Sequence, residues 1–190
     1  MARTGEPRET APPVFIAALA LARIDADVHV YGAGTDLARS ERLATRLGVA
    51  DQLTCHGSAS HHRVLRAMRQ ADAVVLSSRG YETQGLTAYE AVSLGTPVIL
   101  RDPDISRELP ASLRHTATGA SVTAFADTLS NFVTDLAHHQ HTPAPSDAFL
   151  QSALTERAEA LYALAATRHR AWAQTGPLPQ LPRGGVRHAA

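Results

Sequence analysis

The segment YETQGLTAYEAVSLGTPVI, residues 81–99, has two glutamates and a glycine at a spacing that would allow them to bind a substrate together. Seven residues separate Glu82 from Glu90, and Gly85 lies between them, where an apolar helix is predicted to begin near Leu86. Because the neighbours of Glu90 on that helix are apolar, we expect its carboxylate to be buried. A buried carboxylate requires a partner that replaces its lost hydration.

The turn at Gly85 predicts a phosphate site, because the first amides of the following helix have no partner within the helix. Two carboxylates would repel a phosphate, but a carboxylate accepts hydrogen bonds from vicinal hydroxyls. The segment therefore predicts a ligand that carries both a phosphate and a polyol. Two glutamates at this spacing alone are more typical of a solvated loop and a helix surface. The glycine turn, the apolar helix and the GTPVI strand together favour a site.

The composition excludes several other chemistries. Cationic and acidic residues balance at 18 each, so no net field predicts a nucleic-acid partner or an anionic membrane surface. The absence of lysine excludes a phosphate-loop lysine and a Schiff base. The single Cys55 can form neither an internal disulfide nor a zinc site, so no metal site is expected from thiolates. With neither a signal peptide nor a transmembrane segment in the sequence, we expect a cytoplasmic protein, free or peripheral at the inner membrane face.

Helices and strands are predicted to alternate along the first two thirds of the chain. Helices are expected at 12–24, 35–49, 60–70 and from Leu86 to a glycine stop at Gly95; strands are expected at 27–34, 52–57, 72–78 and 97–102. This order predicts an α/β fold, a Rossmann-like parallel sheet with helices on both faces. Ligands of such sheets gather at the carboxyl ends of the strands, here residues 32–35, 57–60, 77–82 and 101–104.

The signal is weaker beyond Ile105. A helix is predicted at 121–139 after a serine cap, a proline-rich linker at 141–147 and a long helix at 148–174. The domain organisation we expect is a ligand-binding lobe over residues 1–140, the linker, the helix, and a disordered tail at 175–190.

These motifs together resemble the glycosyl transferases group one family, whose members have two Rossmann-like lobes, the GT-B architecture. YETQGLTAYEAVSLGTPVI is similar to that family's E-x7-E motif and the strand after it. VHVYGAGTDLARSERLATRLGVADQLTCHGSASHHRVLRAMRQADAVVLSS is similar to the family's preceding run of strands and helices, and DPDISREL is similar to an acidic turn. The resemblance covers about residues 12–138 and implies one lobe of the GT-B architecture.

The resemblance implies a role for each candidate residue. Glu90 would bind the ribose hydroxyls of a nucleotide-diphosphate sugar, and Glu82 would contact the sugar that is transferred. Backbone amides at Gly85 and Leu86 would hold the distal phosphate. Gly32 and Gly34 would permit close approach of the nucleotide, and the turn at Gly57 and Ser58 would border the base. Arg3 and Arg8 would neutralise the diphosphate. Arg8 stands where the family has a lysine, and both arginines could equally be solvated charges.

The resemblance also implies what this lobe would do. It would bind the donor for a retaining, metal-independent transfer to an acceptor hydroxyl, with no cofactor. The acceptor site would belong to an N-terminal lobe. We expect that lobe to lie outside this sequence or to be a separate partner chain. The alternative is a catalytically inactive lone lobe that acts as a binding partner of another glycosyltransferase subunit.

Two further motifs have weaker interpretations. YGAGTDL partly matches a dinucleotide fingerprint, but Leu37 replaces its third glycine, which disfavours NAD binding. HHQH, residues 138–141, could bind a transition metal but is more typical of a solvated turn. Cys55 is expected to be a small packed residue.

Overall fold

The computed structural model describes residues 11–80, 85–138 and 151–175. The chain divides into two compact units, Met1–Phe149 and Leu150–Ala190. No helix of the described residues is long and apolar enough to cross a membrane.

The first unit alternates helices and strands. In chain order the described elements are α1 (Ala11–Ala22), β1 (Val28–Tyr31), α2 (Thr35–Leu47), β2 (Leu53–Gly57), α3 (His61–Gln70), β3 (Val74–Leu76), α4 (Leu86–Ser93), β4 (Val98–Leu100), α5 (Pro103–Glu108), β5 (Arg114–Thr116) and α6 (Val122–His138). Short 3-10 turns at Ala50–Gln52 and Ala111–Leu113 precede β2 and β5.

All strand pairs in the described residues are parallel, and they form two sheets. β1 pairs with β2, with Val28 opposite Leu53. β4 lies between β3 and β5, with Ile99 opposite both Val75 and His115. The predicted parallel α/β class is confirmed, but β1 and β3 are not hydrogen-bonded to each other, so the expected continuous sheet is interrupted. An apolar run in a sequence marks a strand without specifying which strand edges pair.

Helix α1 covers both sheets. Ile16 and Leu19 pack in a cluster with Val28 and Leu53 of the two-stranded sheet. Ala18 packs in another cluster with Ile99 of β4 and with α6. The Ser130 hydroxyl of α6 also donates to the carbonyl of Ala22, 3.1 Å away. Because α1 packs on both sheets, the two sheets belong to one compact unit although they are not hydrogen-bonded to each other.

Predicted helix ends agree closely with the structure where a cap is present. Gly48 ends α2 in the left-handed conformation, with φ of 73°. The Ser60 hydroxyl oxygen accepts from the Arg63 amide and begins α3. The Ser121 hydroxyl oxygen accepts from the Ala124 amide at 3.0 Å and begins α6. These short-range signals are local, which is why a sequence predicts them well.

Two elements were not predicted. DPDISREL, compared above with an acidic turn, is a helix over most of its length: α5 has Asp102 as its N-cap and Pro103 in its first turn. β5 consists of the polar residues Arg114, His115 and Thr116, which have no apolar strand pattern. Its pairing with β4 makes it a strand.

The second unit contains α7, Gln151–Thr175, close to the predicted helix 148–174. Leu161, Tyr162 and Leu164 on this helix are exposed. The predicted linker and all of the predicted tail except Thr175 lie outside the described residues, so the predicted domain limits stay predictions.

Candidate functional site

The carboxyl ends of β1 and β2 bring two predicted residues together. The Gly32 amide donates to the Gly57 carbonyl at 2.8 Å, which extends the strand pairing into the loops. Both glycines have positive φ, 131° and 64°, a conformation that other residues rarely adopt. Gly34 follows as the N-cap of α2, and Ser58 is exposed in the turn after β2. A ligand at the carboxyl ends of β1 and β2 would therefore contact mainly backbone atoms.

Three stacked rings precede these glycines, and sequence reasoning missed them. The Tyr31 and His56 rings stack with centroids 4.5 Å apart and an angle of 11°. His56 also stacks with His29, and His29 Nδ1 lies 2.9 Å from His56 Nε2. The alternation of side chains along paired strands is the signal that could have found them, because His29 and Tyr31 lie on one face of β1.

Asp102 organises the carboxyl ends of β3 and β4. Its side chain is buried and accepts three backbone hydrogen bonds, from Gly80 at 2.7 Å, Asp104 at 2.9 Å and Ile105 at 3.4 Å. The carboxylate therefore caps α5 and also holds the loop after β3. The sequence placed residues 101–104 at this edge but did not predict that role.

Arg101, next to Asp102, is also buried. Its guanidinium donates to the Ser77 carbonyl at 3.2 Å and to the Ala120 carbonyl. A buried cation that bonds backbone carbonyls fixes the loops on both sides of β4. Together with Asp102 it makes this part of the edge more tightly connected than the part formed by β1 and β2.

Gly85 begins α4 with φ of 59° and a closely packed α-carbon. A Cβ at this position would lie 2.9 Å from Cδ1 of Ile105, so only glycine fits without a shift. Leu86, the first residue of α4, is 65% exposed at the edge of the sheet. The predicted glycine turn is confirmed, and it brings the backbone of α4 close to α5.

The N-caps of the helices divide into two kinds. Ser60 and Asp102 cap α3 and α5 with side-chain oxygens. Gly34 and Gly85 begin α2 and α4 and have no side chain that could accept from the first amides. The two glycine-capped helices are those predicted to approach a ligand, one after β1 and one after β3. Free helix amides at such positions suit an anionic group.

Glu90 lies on α4, and its side chain is 34% exposed. The expectation that Glu90 is buried is therefore wrong: its α4 neighbours Ala88 and Ala91 are buried, but the carboxylate reaches the surface. Its partner is His61 of α3, whose Nε2 lies 3.5 Å from Oε1 of Glu90. Because His61 follows the β2 loop and Glu90 follows the β3 loop, this contact joins the two parts of the edge.

Three predicted site residues, Glu82, Arg3 and Arg8, lie outside the described residues. Arg79 is near Glu82 in sequence, and its Nη1 is buried without a hydrogen-bond partner in the part of the chain that the structure describes. No three histidine, cysteine or carboxylate side chains among residues 11–80, 85–138 and 151–175 are arranged to hold a metal ion.

A groove between α2 and β2 contains Cys55. Its lining comes from α2 and β2 and the turn between them: Glu41, Ala44, Thr45, Ala50, Leu53 and Cys55. Burial raises the pKa of the Cys55 thiol, and the neighbouring Glu41 carboxylate raises it further. The thiol therefore stays protonated at neutral pH, which agrees with a packing role.

Parallel strands covered by helices, with glycine turns at their carboxyl ends, define a Rossmann-like lobe. Residues 8–144 of this 190-residue chain match the family described as Glycosyl transferases group 1. The chain therefore belongs to the glycosyl transferases group 1 family.

A curated relative is the D-inositol 3-phosphate glycosyltransferase of Mycolicibacterium gilvum (strain PYR-GCK). The two are 35% identical over 119 residues, which is 59% of this chain and 25% of the relative. The matched stretch thus spans a quarter of the length of that enzyme.

Two solved structures have the same fold. The lipopolysaccharide outer core galactosyltransferase WaaB in its apo form has a TM-score of 0.59 and 20% identity, over 78% of this chain and 44% of that chain. The catalytic domain of cholesterol-alpha-glucosyltransferase from Helicobacter pylori has a TM-score of 0.56 and 17% identity, over 82% of this chain and 95% of that chain. The predicted fold, one lobe of the GT-B architecture, is confirmed.

Proposed function

We propose that this chain is the donor-binding lobe of a retaining glycosyltransferase and that it binds a nucleotide-diphosphate sugar. The observation that carries the proposal is the arrangement of Gly85 and Glu90 on α4 in a chain of the glycosyl transferases group 1 family. A glycine-capped helix supplies amides for a phosphate, and a carboxylate one turn further along the helix supplies acceptors for vicinal hydroxyls.

The donor would extend along the edge formed by both sheets. Glu90 would bind the ribose hydroxyls, and the amides of Gly85 and Leu86 would hold the distal phosphate. Gly32 and Gly34 would permit close approach of the nucleotide, and the turn at Gly57 and Ser58 would border the base. The hydrogen bond from Gly32 to Gly57 supports this arrangement, because it brings the two loops to one place. Glu82 would contact the transferred sugar, and Arg3 and Arg8 would neutralise the diphosphate.

The transfer we propose needs no metal ion or other cofactor. The bond between the sugar and the diphosphate breaks, and the acceptor oxygen forms its new bond on the same face of the sugar. The hydroxyl proton passes to the departing phosphate oxygen. Helix amides and arginine side chains stabilise the charge that develops on the diphosphate. Catalysis by this lobe is therefore electrostatic, and no side chain of the lobe acts as a nucleophile.

A second lobe or a partner chain would supply the acceptor site. This chain covers 25% of the inositol-phosphate relative, which supports an acceptor site outside the sequence. Two relatives are named for galactosyl and glucosyl transfer, which supports a hexose as the transferred sugar. Their acceptors are chemically unlike one another, so the acceptor of this protein does not follow from the comparison.

Calorimetric titration of the full chain with UDP and GDP in metal-free buffer tests the proposal. We expect micromolar binding of one of them and a loss of about 1 to 3 kcal/mol in Glu90→Gln, the contribution of a hydrogen bond to a charged group. Glu41→Gln is a matched control, because Glu41 lies beside Cys55 and has no role in the proposed donor site. This variant is expected to bind the nucleotide as the wild type does.

Equal nucleotide affinities of wild type and Glu90→Gln would mean that Glu90 does not bind the nucleotide. A folded chain that bound neither nucleotide would contradict the donor-binding role and favour the alternative, a lone lobe that acts as a partner of another subunit. Circular dichroism of each variant establishes that it is folded.

A further inference from the structure

The contact between His61 and Glu90 connects two loops that the proposed donor site uses. His61 is the first residue of α3, just after the turn at Gly57 and Ser58. Glu90 is on α4, one turn after Gly85. Their Nε2 and Oε1 atoms are 3.5 Å apart, and their side chains are 68% and 34% exposed. A titratable side chain therefore lies next to the carboxylate that is proposed to bind the ribose.

The elements around this pair have several other charged and titratable groups. α4 has no further charged residue, and neither has β3 or β4, on which it packs. On α5, Asp104 pairs with Arg107 at 2.6 Å, and Glu108 accepts from the Tyr89 hydroxyl. α3 itself has His62, Arg63, Arg66 and Arg69, and the loops after β3 and β4 have Arg79, Arg101 and Asp102. Among the described side chains, the ion pair of Glu90 is therefore with His61.

The strength of this contact depends on the charge of His61. At 3.5 Å, a neutral imidazole holds a carboxylate only weakly. A protonated imidazole adds Coulombic attraction, although the N-terminus of α3 opposes a positive charge there. Histidine is the side chain that changes its charge between about pH 5 and pH 8. The pair is therefore tighter when His61 is protonated than when it is neutral.

We propose that His61 regulates donor binding with pH by competing for Glu90, an inference that rests on the proposed function. Protonated His61 holds Oε1 of the Glu90 carboxylate, which the ribose hydroxyls would otherwise use. Neutral His61 releases it. His61 is thus a positioning residue, which acts on the donor through Glu90.

Titrating UDP and GDP into the full chain at about pH 8 and at about pH 5.5 tests this regulation. For the nucleotide that binds, we expect an affinity about two- to fivefold weaker at the lower pH, the scale of a partly exposed ion pair. The part of this difference that is due to His61 should disappear in His61→Gln and persist in His62→Gln. The neighbouring His62 is an exposed residue of the same helix, so it is the matched control. Proton uptake by the nucleotide itself changes its affinity for the wild type, His61→Gln and His62→Gln alike.

A double-mutant cycle measures the pair without a ligand. At about pH 5.5, His61→Gln and Glu90→Gln should lower Tm non-additively, and at about pH 8 their effects should add. An unchanged pH response in His61→Gln, or additive effects at both pH values, would overturn the regulation alone. A folded chain that bound neither nucleotide at either pH would overturn the proposed function, and the regulation with it.

Discussion

The two parallel sheets of the first unit are built differently. Every residue of β4 in the three-stranded sheet is buried, whereas no residue of β1 or β2 is fully buried. The three-stranded sheet also has buried charged groups at its carboxyl edge, in Arg101 and Asp102. At the same edge, the two-stranded sheet has glycine backbone and partly exposed rings.

This difference separates two requirements of a ligand site. The three-stranded sheet fixes its loops with side-chain hydrogen bonds, and so it holds Gly85 and α4 in place. The two-stranded sheet packs on α1, and its loops have glycine backbone that a ligand could approach closely. Under the proposed function, we infer that the three-stranded sheet would position the phosphate and ribose of the donor and that the two-stranded sheet would adapt to the base.

Truncation of a core leucine should show the largest difference between the sheets. Leu100 of β4 is fully buried, so Leu100→Ala should lower the free energy of unfolding by about 2 to 5 kcal/mol. Leu53 of β2 is half-buried, and Leu53→Ala should cost about half as much or less. Urea unfolding of both variants measures the two losses. Equal losses would contradict the description of the two-stranded sheet as the less consolidated one.

Alanine at the edge glycines should show a smaller difference. Gly85→Ala places a Cβ 2.9 Å from the Ile105 side chain at a positive φ, so we expect a loss of about 2 to 4 kcal/mol. Gly57 also has a positive φ but has open space around it, so Gly57→Ala should cost about 1 to 2 kcal/mol. Thermal unfolding can compare them. A smaller loss in Gly85→Ala than in Gly57→Ala would show that the contact with Ile105 adds no cost.

The two side-chain caps give a third comparison. Asp102→Ala removes the acceptor of three amides, including that of Gly80, and should cost about 1 to 3 kcal/mol. Ser60→Ala removes a single acceptor at 3.4 Å, exposed in the loop after β2, and should cost about 0.5 to 1 kcal/mol. Hydrogen exchange at the Gly80 amide should accelerate only in the Asp102 variant. Unchanged exchange there would mean that another group holds this loop.

The smallest effect concerns Tyr89 at alkaline pH. Burial raises the pKa of Tyr89 to about 12, and its hydrogen bond to Glu108 contributes to the shift. Since unfolded tyrosine ionises near pH 10, the folded protein retains a proton between about pH 10 and pH 12 that the unfolded chain has lost. The free energy of unfolding should therefore fall as the pH rises through this range.

Tyr89→Phe removes this contribution. Urea unfolding at about pH 9 and about pH 11 should show a smaller loss of stability in the variant than in the wild type. Identical losses in both proteins would mean that Tyr89 has the same pKa in the folded and unfolded chains.

Much of the fold could be predicted because its signals are local. Short strand-like segments between helices marked β1 to β4, and Gly48, Ser60 and Ser121 marked helix ends. β5 could not be predicted in this way, because Arg114, His115 and Thr116 have no apolar strand pattern and become a strand only by pairing with β4. Asp102 followed by proline was a usable signal for α5, since this pair is typical of a helix start.

The site was predicted less completely. The sequence located the turns at Gly32, Gly57 and Gly85, because only glycine adopts such conformations readily. It did not predict that Glu90 is partly exposed or that His61 is its partner. That contact depends on how α3 and α4 pack, which local spacing does not determine. The buried bonds of Arg101 and Asp102 likewise depend on tertiary structure.

Heteronuclear NMR of the full chain, titrated with UDP and with GDP, tests the central claim most directly. The claim is that one donor site uses the edges of both sheets. It predicts that, for the nucleotide that binds, the amide signals of Gly32, Gly57, Gly85 and Leu86 shift with a single dissociation constant. Shifts confined to one sheet, or two different constants for the two edges, would contradict it.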